Sequence, residues 1–96
     1  MTEKNTRVIA ILSLKNGVCE SFGEGTYIGD LIPDVEPFVS SNRKNPCIKL
    51  DNENFVWGFE CWWGEINQFN DIYNKHIKET ILINEYNYTK PLEGQL

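Results

Sequence analysis

Little in this chain is suited to chemistry at a metal or a nucleophile. Its 96 residues hold one His and one Met. The three Cys, at positions 19, 47 and 61, are an odd number, and each stands far from the others in sequence. Structural zinc takes its ligands in close pairs, because one tight turn then fixes two of them. Cys19, Cys47, Cys61 and His76 offer no such pair, so a structural Cys/His metal site stands only as an alternative without supporting spacing. A nucleophile needs a base and an orienting group beside it. His76 falls on the apolar stripe of a helical segment, where a packing role is expected, and no enzyme activity or cofactor follows. Basic residues are few and unclustered: 9 Lys and Arg stand against 14 Asp and Glu, for a net charge of −5. A nucleic-acid backbone binder needs concentrated positive charge to release phosphate counterions, so no nucleic acid is expected. The acids are scattered, which also excludes a nucleic-acid mimic. Long apolar runs are missing as well. Val8–Leu12 is too short for a secretory signal or a membrane span. Reduced thiols, a cytoplasmic location and no membrane contact are the expectation.

What is present is a globular chain. Hydrophobic residues make up 41% and aromatic residues 12%, with three Trp, four Tyr and five Phe. A disordered chain seldom carries so many aromatics. One domain spanning 1–96 is expected, with residues 1–5 and about 87–96 flexible.

Thr6 to Leu14 reads as a strand, and Asn16-Gly17 as the tight hairpin turn, since both residues accept positive φ. Val18 to Phe22 returns, with Leu14 opposite Cys19 and Ile11 opposite Phe22. Gly23-Glu24-Gly25 marks a bulge or a close backbone approach, and Thr26-Tyr27-Ile28 resumes the strand. A long irregular stretch follows, from Leu31 to Pro46. Cys47 to Leu50 and Phe55 to Cys61 read as further strands. In the second, Phe55, Trp57, Phe59 and Cys61 share one face by alternation and are expected in the core. Glu65 to Lys78 has helical period, with Ile66, Phe69, Ile72, Tyr73, His76 and Ile77 on one stripe. Thr80 to Tyr86 is a last strand. The fold class is α+β: a small antiparallel sheet or half-barrel, order β-β-β-β-α-β, with one packed helix.

Two places draw functional attention. Around the Gly-rich segment lie Tyr27, Asp30 and Asp34. These favour turns for local reasons, but the segment also offers backbone N–H groups for a small anionic ligand. The other place is Trp57-Gly58-Phe59-Glu60-Cys61-Trp62-Trp63-Gly64. In an extended chain Trp62 and Trp63 point to opposite sides, so one enters the core and the other faces outward or packs under the helix. An outward Trp beside Glu60 is a natural anchor for a partner. The expected binding residues are therefore Tyr27, Asp30, Asp34, Glu60, Trp62 and Trp63.

Gly23 to Asp30, Asn45 to Asp51 and Val56 to Gly64 carry the patterns Gly-x-Gly-x-Tyr-x-Gly-Asp, Asn-Pro-x-Ile-x-Leu-Asp and Val-Trp-Gly-x-Glu-Cys-Trp-Trp-Gly. Together they resemble a group of short uncharacterised phage and bacterial proteins. The resemblance implies that the three segments belong together around one surface. By analogy with small phage proteins it points to an inhibitor that occupies a host protein. The expected function is thus a non-enzymatic protein-binding module whose partner is a host or cellular protein. The alternative is a binder of a small nucleotide-like anion. An aromatic-rich strand in so small a domain also leads one to expect a homodimer that covers its edge.

Overall fold

A computed structural model of the chain describes residues 2–95. Its elements are β1 (Thr6–Lys15), β2 (Val18–Leu31), the short α1 (Phe38–Ser41), β3 (Asn45–Leu50), β4 (Phe55–Trp57), β5 (Trp62–Glu65), α2 (Ile66–Tyr73) with a 3₁₀ turn over Asn74–His76, and β6 (Glu79–Leu82). The fold is α+β, as the sequence leads one to expect. The strands form one six-stranded sheet of order β4-β3-β2-β1-β5, with β6 added to the free half of β2. All pairings are antiparallel except β2 with β6, which is parallel.

The β1–β2 hairpin turns where Asn-Gly stands. Asn16 and Gly17 both have positive φ, 53° and 81°, as a mirror-image two-residue turn requires. Leu14 faces Cys19, but Ile11 faces Ser21 instead of Phe22. The one-residue offset comes from Leu12, an extra residue in β1 between the Ile11 and Ser13 pairs. Register shifts flank Ile11 on both sides, so an extra residue sits in each strand, and the bulge aims Phe22 into the core. Beyond it β2 runs on without a break. Gly25 is needed because β3 passes close by: a Cβ there would lie 2.5 Å from the Lys49 carbonyl oxygen.

The expected strand Phe55–Cys61 is in fact two. The Glu60 N–H donates to the Trp57 carbonyl at 2.8 Å, which closes a turn between β4 and β5, while the Gly58 N–H, donating to the Pro46 carbonyl at 2.9 Å, carries the β3–β4 ladder one residue further. Those strands lie at opposite ends of the sheet order. The chain from Trp57 to Trp62 spans at most about 17 Å. Four strand spacings of ~4.8 Å come to about 19 Å. The sheet must therefore curl until its ends approach, although β4 and β5 do not pair among the described residues and it remains open. Phe59, expected in the core with Trp57 and Cys61, sits on this turn instead and is 47% exposed, stacked on Phe38 at 4.6 Å.

Inside the curl lies the larger core: Val8, Ala10, Phe22, Tyr27, Ile48, Leu50, Val56 and Cys61. The outer face carries a smaller one, Ile11, Cys19 and Phe69, where α2 packs. Glu65 caps α2, its carboxylate accepting from the Asn67 and Gln68 N–H groups at 3.2 and 2.9 Å. The helix is shorter than its periodicity suggests. Asn70, Asp71 and Asn74 are weak helix formers, and His76 is exposed on the 3₁₀ turn instead of packed on an apolar stripe.

Residues 83–95, most of which read as a flexible end, lie across the sheet as a strap. Ile83, Tyr86 and Tyr88 pack on the larger core. Trp57 Nε1 donates to the Thr89 carbonyl at 2.7 Å, and Pro91 bridges to Pro33. The Gln95 amide closes the end on both backbone groups of Ile32.

Candidate functional site

The three Trp residues divide by burial. Trp57 is fully buried. Trp63 faces Ala10 across the β1–β5 pair, and that small side chain lets the indole reach over β1 to β2. There it stacks on Tyr27, ring centres 5.0 Å apart and planes 18° from parallel. Trp62, one residue earlier, points to the other side and is 67% exposed.

Trp62 stands on β5, which ends the sheet order. Natural edge strands are guarded by Lys, Pro, a bulge or a covering segment. Trp62-Trp63-Gly64-Glu65 has no Lys or Pro, and the Glu65 side chain is already spent on the helix cap. Between β5 and α2 opens a groove of about 250 Å³, lined on one side by Trp62, Trp63 and Gly64 with Ile11 beneath, and on the other by Phe69, Ile72 and Tyr73, with Gln68 as a polar group. Gly64 makes the floor. A Cβ built on it would meet nothing within 4 Å, so the space above this residue is open. Ile72, on the helix side, is 58% exposed. A groove this size exceeds the ~150 Å³ that holds a benzene ring in an engineered cavity and falls short of the ~300–1,000 Å³ of drug-sized ligand pockets. It suits one large apolar side chain.

The structure separates the residues singled out in the sequence. Tyr27 is buried, and its hydroxyl donates to Asp30 at 2.6 Å. Burial first, and the Asp30 carboxylate second, push the Tyr27 hydroxyl pKa up to about 12. Tyr27, Asp30 and Trp63 thus form one chain of contacts. Asp34 is exposed, and its N–H donates to the Lys90 carbonyl at 2.9 Å. Glu60 is half-buried. One of its oxygens accepts from the Tyr86 hydroxyl at 2.7 Å, while the other is buried without a partner. Burial raises its pKa, opposed by the hydrogen bonds from Tyr86 and from its own turn. Of the six, Trp62 and Trp63 line the open groove, and of these two only Trp62 keeps its side chain largely in water. Gly23 to Asp30 is strand, paired with β1 and β3, and not a loop of collected N–H groups.

The groove partners Gly64, Phe69 and Ile72 carried little signal of their own. Phe69 and Ile72 stood on the helical stripe and read as core. What could have marked the site was a Gly two positions after an outward Trp, on the same face of a strand. The thiols offer no chemistry here. All three are buried and free, and burial pushes those of Cys47 and Cys61 up to about 12. No group of Cys, His, Asp and Glu among the described residues is arranged to hold a metal ion. No described helix is long and apolar enough to cross a membrane. The site and fold together are those of a small α+β domain with an open sheet edge beside an apolar groove. Comparison with protein-family models, with curated proteins and with solved structures gave no match.

Proposed function

We propose that the chain is a non-enzymatic binding module that takes an extended protein segment on the free edge of β5. The observation that carries this reading is Trp62. A large aromatic side chain lies two-thirds in water on an unguarded edge, beside a groove it does not fill. Strand addition supplies main-chain hydrogen bonds, and a pocket for an alternate side chain supplies specificity. Burying the exposed part of an indole, about 100–170 Å², is worth roughly 2.5–4 kcal/mol at ~25 cal/mol per Å². That places Trp62 among the residues that dominate an interface. The resemblance to short phage and bacterial proteins gives the proposal its inhibitor form, in which the partner is a protein of a host cell.

A random-peptide library displayed against the folded domain tests it. The expected binders carry an apolar or aromatic residue within an otherwise extended sequence. They lose at least ~30-fold in affinity on Trp62→Ala, the factor that corresponds to a ~2 kcal/mol hot spot. Binders indifferent to Trp62, or none at all, would count against it.

A further inference from the structure

The β5 edge is shaped to receive another β5. We infer that, when no other partner is bound, the occupant of this face is a second copy of the chain, paired antiparallel through β5 about a two-fold axis. The inference rests on the binding-module reading and names the partner of the same site.

Trp62 and Gly64 are two residues apart in one strand, so their side-chain positions lie on the same face. In an antiparallel pair centred on Trp63, Trp62 of each copy stands directly opposite Gly64 of the other. Residues so paired have Cβ positions about 4.5–5.5 Å apart. Gly64 is the one position of β5 without a side chain, and the space where its Cβ would point is empty. Each indole therefore enters the groove formed by Gly64, Ile11, Phe69 and Ile72 of its neighbour. A two-fold contact needs self-complementarity, a knob and a hole on the same patch, and β5 supplies both. Trp63 faces its own copy on the other side of the sheet, where each indole leans away from the edge over its own β1 to stack on Tyr27; shifting the register by two residues would instead set the exposed Trp62 against its own copy, bulk against bulk.

The interface is small. Four residues of strand and two indoles fall at the low end of interface sizes, below ~1,200 Å². Each copy also carries a net charge of −5. A reversible dimer in the micromolar range is expected, tightened by salt as the like charges are screened.

Sedimentation equilibrium of the full chain between about 10 μM and 1 mM tests this. The wild type is expected to dimerise reversibly. Trp62→Ala, which removes the knob, and Gly64→Leu, which fills the hole, are each expected to weaken the dimer by at least ~30-fold, in the range of hot-spot losses. Both variants should keep the wild-type circular dichroism, since Trp62 is exposed and Gly64 has room for a side chain. Mixing the two variants restores association. One of the two knob-and-hole contacts is then native, and the other pairs Ala with Leu. A structural effect of either substitution would not be cured by mixing. A wild type that stays monomeric to 1 mM overturns the inference, as does a dimer unmoved by both substitutions. A monomer that still selects Trp62-dependent peptides refutes only the second copy and leaves the binding module standing.

Discussion

Replacing each Trp in turn by Ala separates the architectural indoles from the one at the surface. Trp57 has no exposed surface, and its Nε1 donates to the Thr89 carbonyl at 2.7 Å. Its loss removes a side chain of up to ~250 Å², leaves a cavity and orphans a carbonyl of the strap. Core Trp→Ala substitutions cost about 3–5 kcal/mol, and an orphaned buried acceptor adds roughly 1–3 kcal/mol. Against a total stability of ~5–14 kcal/mol for a domain this size, Trp57→Ala sits near or past the point of unfolding. Trp62 has 67% of its surface in water already. Only about a third of an indole, ~80 Å², is at stake, worth at most ~2 kcal/mol and less against a compact unfolded state. Trp63 falls between, since it loses partial burial and a stacking contact with Tyr27 worth ~0.5–1.5 kcal/mol. Urea unfolding followed by circular dichroism reads all three, as shifts in midpoint at a common slope. The expected order of loss is Trp57, then Trp63, then Trp62. A Trp62→Ala variant as destabilised as Trp57→Ala would make Trp62 a structural residue with no surplus for binding, contrary to its exposure.

Two further outcomes follow from the inner core. Glu60 has a folded pKa above its unfolded one, chiefly from burial, so its contribution to stability is full below the unfolded pKa and is lost as pH rises through the folded pKa. Glu60→Gln should therefore unfold later than wild type in urea at pH 7, with the gap closing by about pH 4, near the ordinary Glu pKa; a gap independent of pH would contradict this. Ending the chain after Asn84 removes Tyr86 and Tyr88 from Phe22 and the Thr89 acceptor from Trp57. The shortened chain should melt far lower and bind a hydrophobic dye, whereas an unchanged melt would show that the strap is no part of the core.

Legibility in the sequence followed the range of the interaction. The Asn16-Gly17 turn, the bulge at Gly23 and the opposed directions of Trp62 and Trp63 depend on a few neighbouring residues, and these could be read. The break after Trp57 could not. Phe55 to Cys61 keeps perfect alternation, and what ends β4 is a turn closed by the Glu60 N–H on the Trp57 carbonyl and entered from Gly58, which is held against Pro46 a dozen residues back. That break placed Phe59 at the surface and sent β5 to the far end of the sheet, where Trp62 acquired its open edge. The strap was missed for a related reason. Its residues have no period of their own, because Tyr86, Tyr88 and Pro91 take their places from Phe22, Glu60 and Pro33. Aromatics so near the C-terminal end were the available sign. The binding residues fared likewise: Trp62 was recognised as one of a pair, but its groove is made by a helix and a glycine whose meaning depends on the sheet's curl.

Amide and indole spectra of isotopically labelled protein, recorded from 10 μM to 1 mM, show whether β5 is the face that binds. Expected are concentration-dependent shifts at the Trp62 indole N–H and the Trp62–Glu65 amides, slower exchange of the β5 edge amides with solvent, and a Trp57 indole that does not move. Shifts centred elsewhere, such as on the exposed Phe38–Phe59 stack, with β5 unchanged, would contradict binding at β5.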